Sequence, residues 1–112
     1  MSSRDDQIRL QHMLDASNEV IEFVADATRE QLDTDIKLLR ALSMSIGIIG
    51  EAASRISSSY RDSHPEIAWR QIIGMRNFMF HAYFQLDHDI LWDTATVAIP
   101  QLAEILQEYL SE

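Results

Sequence analysis

The sequence predicts an all-α fold, an up-and-down bundle of four main helices. Three observations predict it. Leu38, Leu42, Ile46, Ile49, Ala53, Ile56 and Tyr60 recur at steps of 4, 4, 3, 4, 3 and 4, the period of one helical face. The three glycines and two prolines leave little material for hairpins or long loops. Hydrophobic residues at 46% are enough for a globular core.

The first helix is expected over about Ser3 to Thr28. Ser3 can cap it, and Asp5 and Asp6 in the first turn suit the positive end of the helix dipole. Ile8, Leu10, Leu14, Ile21, Val24, Ala25 and Thr28 form its apolar stripe. The second helix is expected over about Thr34 to Tyr60, capped by Asp33 or Thr34. Gly47 and Gly50 interrupt it, each costing up to about 1 kcal/mol relative to alanine. Close approach of another helix is the expected compensation. Ser57-Ser58-Ser59 ends the helix weakly, and Ser63-His64-Pro65 is a clear break.

Pro65 suits the first position of a third helix, expected to reach about Phe84, with Gly74 as the place where it could bend. Asp87 or Asp89 should start the fourth helix, which runs to about Leu110. Ile90, Leu91, Val97, Leu102, Ile105, Leu106 and Tyr109 should face inward, with a kink or short break near Pro100. Trp69 and Trp92 read as core anchors. His12 reads as a surface residue. His88, between Asp87 and Asp89, does not make a metal site.

The 112 residues fit one domain spanning 1–112. There is no cysteine, so no disulfide framework and no thiolate metal site. Residues 1–6 lack the basic and apolar regions of a signal peptide. No apolar run reaches the roughly 18 residues of a membrane-spanning helix. A cytoplasmic protein with no membrane association is therefore expected.

Charge argues against an ordinary RNA-coating protein, which would be basic. The net charge is −9 and the pI about 4.7. Its distribution is uneven. Residues 1–28 are net −4, residues 77–112 are net −6 with no Lys or Arg, and residues 29–76 are net +1. Positive charge is concentrated mid-chain, leaving room for a local basic site. An acidic exterior also suits a basic protein partner.

That basic stretch runs into Arg76-Asn77-Phe78-Met79-Phe80-His81-Ala82-Tyr83. An arginine fork can bind phosphate, and imidazole can move protons near neutral pH. Together they suit chemistry at a phosphodiester without metal or cofactor. Asn77 and His81 share a helical face, being i and i+4. Arg76 and His81 are i and i+5, about 140° apart at roughly 100° per residue. Either the arginine bends round or a partner chain supplies the second group. The plainer alternative is an Arg76 paired with a surface acid and a half-buried His81.

Arg76, His81 and Tyr83 match Arg-x4-His-x-Tyr, the signature of the HEPN superfamily in its branch of HepT-like ribonuclease toxins. Three neighbouring stretches resemble that branch too: Pro65 to Arg70 followed by Ile72 to Asn77, Ile48 to Ala53, and downstream Tyr83-Phe84, Asp87 and Leu91-Trp92-Asp93. The resemblance covers roughly residues 4 to 110. It implies a homodimer or higher oligomer whose two motifs face each other. It implies metal-independent RNA cleavage in which the 2′-hydroxyl attacks phosphorus and leaves a 2′,3′-cyclic phosphate. DNA, lacking that hydroxyl, is not an expected substrate. Arg76 would stabilise charge on phosphate, His81 would act as general base or acid, and Asn77 would orient phosphate or imidazole. Glu51 would lie near the active-site arginine. Family members are paired with a nucleotidyltransferase antitoxin, which can attach AMP to the tyrosine matching Tyr83. The competing expectation is a non-catalytic HEPN scaffold that dimerises and docks such a partner.

Overall fold

Ser3 begins the fold as the sequence predicts: it is extended, and its hydroxyl accepts the Asp6 amide N–H at 3.1 Å. Helix α1 follows over Arg4–Val24. The computed structural model describes residues 3–81 and 87–111, with the backbone alone for Phe80 and His81. α1 stops short of the expected Thr28. The Ala25 and Ala27 amides reach back only three residues, and the Thr28 N–H goes to the Gln31 side chain at 2.7 Å.

A short helix α2 (Gln31–Thr34) comes first, and the expected second helix is then two pieces: α3 (Ile36–Ser54) and α4 (Ser58–Ser63), which runs past Tyr60. The cap of α3 is Asp35, not Asp33 or Thr34. Its carboxylate accepts the amides of Lys37 and Leu38. Asp33 lies inside α2 and is engaged by Arg29 and His88 instead. α3 ends before Tyr60 because Ser57 becomes a cap, its hydroxyl accepting the Tyr60 amide at 3.2 Å. Asp6 of α1 holds that break. Its carboxylate accepts the Ser57 N–H at 2.8 Å and the Ser57 hydroxyl at 2.6 Å. Asp6 is only 3% exposed, and a buried carboxylate needs such partners.

The third helix starts at Trp69, not Pro65. Residues 65–66 form a turn and residue 67 a bend, and the Trp69 amide bonds the Ile67 carbonyl. The segment then runs as α5 (Trp69–Gly74), a 3₁₀ turn (Met75–Asn77) and α6 (Phe78–His81). Its expected continuation to Phe84 lies outside the described residues. The change of helical type falls directly after Gly74.

Asp87 caps α7 (His88–Asp93) through the Asp89 and Ile90 amides. A π turn over Thr94–Ala98 leads into α8 (Ile99–Ser111). The Ile99 N–H bonds the Thr94 carbonyl five residues back. Pro100 has no N–H to offer the carbonyl four residues earlier, so the expected irregularity lies in the turn before it. The wide turn also resets the helical phase. Leu91, Ala95, Ile99, Leu102 and Leu106 are buried, while Ile90 and Val97 are more than half exposed, against expectation.

α1 packs along α3 on one side and α8 on the other, and α5, the 3₁₀ turn and α6 lie against α3. The shared core includes Leu10, Met13, Val20, Leu42, Ile46, Ile49, Leu91 and Leu106. Ile8, expected inward, is exposed. Trp69 is buried, with its indole N–H on the His64 carbonyl at 2.9 Å, and Trp92 packs against the core half-buried. This is the all-α HEPN-like bundle with an irregular last helix. No helix of the described residues is long and apolar enough to cross a membrane.

A polar clasp ties α2 to the start of α7. Arg29 bonds Asp33 at 3.0 Å and Asp89 at 2.5 Å, and His88 Nδ1 lies 2.7 Å from Asp33. The Asp33 carboxyl is held below its ordinary value, first by the hydrogen bond from His88 and then by Arg29. A depressed pKa means the unfolded chain binds more protons, so this group adds stability above about pH 4 and loses it as pH falls further. Acid titration of folding stability should therefore flatten in Asp33→Asn below about pH 4, relative to wild type. Superimposable acid limbs would show that the clasp is not coupled to folding.

Candidate functional site

The site is built on the two glycines of α3. A Cβ placed on Gly50 would lie 2.5 Å from the Arg76 backbone nitrogen and 2.8 Å from the Ile72 carbonyl oxygen. One on Gly47 would lie 2.0 Å from Met79 Cγ. The close approach expected from these glycines is present, and its partner is the segment that carries the motif. Helix α3 meets the main chain at Arg76 with no side chain between them.

That contact sets Arg76 beside the next residue of α3. Arg76 Nε lies 3.7 Å from Glu51 Oε2, an ion-pair distance too long for a good hydrogen bond. Arg55, one turn further on as the C-cap of α3, places Nε 3.1 Å from Glu51 Oε1. One carboxylate thus holds two guanidinium groups, one on each oxygen. All three side chains reach solvent: Arg76 is 48% exposed, Arg55 58% and Glu51 43%. Asn77 is exposed beside Arg76 in the 3₁₀ turn. Phe78 and Met79 are half-buried, which fixes this stretch to the body of the bundle.

Of the sequence-predicted site residues, the structure brings Arg76 and Glu51 together and places Asn77 next to them. His81 closes α6, one turn beyond Asn77 in chain position; its side chain, like all of Tyr83, lies outside the described residues. Among the described residues no group of three His, Cys, Asp or Glu is placed to hold a metal ion. Sequence reasoning passed over Arg55. The available signal was its position four residues after Glu51, the spacing of a helical ion pair.

A second feature adjoins the site. Met44 and Ile48 are 52% and 42% exposed and precede Glu51 and Arg55 at helical spacing along α3. Ile36, near the start of the helix, is also exposed. A row of large apolar side chains therefore runs toward the charged cluster.

The fold and this arginine-centred site define a helical domain of HEPN type. The family model described as Ribonuclease HepT-like matches residues 13–109, and the chain belongs to that family. The chain is 34% identical to "Putative RNase TTE0752" of Caldanaerobacter subterraneus subsp. tengcongensis, over 92% of each chain. It is 31% identical to "Putative RNase MJ1380" of Methanocaldococcus jannaschii, over 91% of this chain and 94% of that one. It is 39% identical to "Probable ribonuclease HepT" of Thermococcus cleftensis, over 75% of this chain and 80% of the relative. No solved structure gives a significant match.

Substituting each glycine tests the platform. Alanine is intrinsically favoured in a helix by up to about 1 kcal/mol. At Gly47 the obstacle is a flexible methionine, but at Gly50 it is backbone. Gly50→Ala should lower stability by about 1–3 kcal/mol in denaturant melts, and Gly47→Ala should cost clearly less. Equal effects would show that the contact with Arg76 is looser than described.

Proposed function

We propose that this chain is a ribonuclease that cuts RNA without a metal, using the RNA's own 2′-hydroxyl as nucleophile. The observation that carries this reading is Arg76. It is a solvent-facing guanidinium fixed by main-chain packing on Gly50 and loosely held by Glu51, within the region matched by the ribonuclease family. Phosphate would replace Glu51 on the guanidinium, because charge-assisted contacts from a planar fork suit phosphate oxygens. Arg76 would then stabilise the charge that grows on phosphorus's oxygens. His81 would take the proton from the 2′-hydroxyl or give one to the leaving 5′-oxygen. Asn77 would orient the phosphate or the imidazole, and Glu51 would aim Arg76 before RNA arrives.

The i, i+5 spacing separates Arg76 and His81 round one helix, so the proposed working unit is a homodimer in which one copy's Arg76 serves the other's His81. The apolar row of Met44 and Ile48 beside Glu51 supports a second copy on this face. Tyr83 is proposed as the control point. A nucleotidyltransferase partner, acting as antitoxin to this chain as toxin, would attach AMP there. The added phosphate would compete with RNA for Arg76. The acidic balance, −9 overall, favours a second reading: a scaffold that dimerises and docks the nucleotidyltransferase without cutting RNA.

Cleavage assays separate the two readings. Arg76→Ala and His81→Ala should each lower RNA cleavage by at least about 100-fold, with the fold intact by circular dichroism and no inhibition of wild type by EDTA. Co-expression with the partner should add AMP mass at Tyr83, and Tyr83→Phe should escape it. Wild-type protein that cuts no RNA, or cuts only with added divalent metal, would favour the scaffold or another mechanism.

A further inference from the structure

We propose that Arg55 is a second phosphate-binding residue, which holds a phosphate flanking the one at Arg76 and so sets how the RNA strand lies in the site. This rests on the ribonuclease reading. The argument begins with charge. Residues 77–112 contain no Lys or Arg, so cations that flank Arg76 come either from Arg70, earlier on its own segment, or from elements packed against that segment. Helix α3 is such an element: it carries Lys37 and Arg40, and Arg55 is its C-cap residue. Arg55 is joined to Arg76 through a shared carboxylate, at 3.1 Å and 3.7 Å from its two oxygens.

The trio has two positive charges and one negative. It is one anion short of neutral, on a chain that is otherwise strongly acidic. Both contacts run through Nε, and both guanidiniums reach solvent. Exposed ion pairs of this kind are weak and readily exchanged. Single-stranded nucleic acid is bound by successive phosphates along a cationic groove, and two guanidiniums held on the two oxygens of one carboxylate provide the first two positions. Glu51 keeps them apart and oriented when no strand is present.

An uncleavable strand tests binding separately from chemistry. Fluorescence anisotropy would measure wild type and Arg55→Gln with a single-stranded 2′-O-methyl RNA over a range of salt. Arg55→Gln should weaken binding several-fold and reduce the slope of log K against log salt by about 0.7, the loss of one phosphate contact to a single strand. Arg55→Lys should keep most of that slope. With cleavable RNA, Arg55→Gln should raise KM and leave kcat within about twofold. A merely structural ion pair would move the melting temperature and not the salt slope. An unchanged slope and Kd in Arg55→Gln would overturn the role of Arg55, whether or not wild type cuts RNA. Absence of cleavage by wild type would overturn the ribonuclease reading, and the anisotropy series still reads the binding role by itself.

Discussion

The contact of Gly50 with the main chain at Arg76 is the constraint on which the site depends. Two backbones meet where any side chain would intrude, with a built Cβ only 2.5 Å from the Arg76 nitrogen. That proximity places Glu51, the next residue, against the Arg76 guanidinium. It also places Arg55, a turn away, on the other oxygen of the same carboxylate. The glycine carries a helix-propensity cost of up to about 1 kcal/mol, offset by a contact that no larger residue could make. The remainder of the bundle supports this junction. Ile46 and Ile49 anchor α3 in the core, and Ile72 anchors α5. Met79 fills the space over Gly47.

Much of this was legible in the sequence, for identifiable reasons. Helix α3 has one dominant buried face, so its 3–4 period was plain and every residue named from Leu42 to Tyr60 is buried. The two glycines announced a close approach because they sit mid-helix, where glycine costs up to about 1 kcal/mol relative to alanine. What the sequence hid were features that hydrophobic periodicity does not register. The face that α1 buries includes Asp6 and Ser17, both polar and both satisfied: Asp6 by Ser57, and Ser17 by the Met13 carbonyl at 2.7 Å. A pattern of apolar residues therefore pointed to Ile8, which faces solvent. In the last helix the π turn shifts the phase, so Ile99 is buried where regular spacing favoured Val97. Pro100 signalled the irregularity but not its form.

The site was legible in part. Residue types at Arg76, Asn77 and His81 suggested phosphodiester chemistry, and resemblance supplied the roles. Glu51 lies 3.7 Å from the Arg76 guanidinium. Arg55 was missed because an arginine four residues from a glutamate reads as an ordinary surface pair. Only the fold shows that the same glutamate also holds Arg76. An acidic chain can therefore present a small basic site: the cations are gathered by packing around one carboxylate rather than spread over a basic surface.

The proposed chemistry makes its most direct claim at the ends of the cut RNA. Attack by the 2′-hydroxyl keeps the phosphorus on the upstream fragment, whereas metal-activated water leaves no cyclic product. Mass spectrometry of fragments made by the purified wild-type chain in EDTA reads this difference. The account predicts 2′,3′-cyclic phosphate on upstream fragments and 5′-hydroxyl on downstream ones. Fragments ending in 3′-hydroxyl and 5′-phosphate would contradict it.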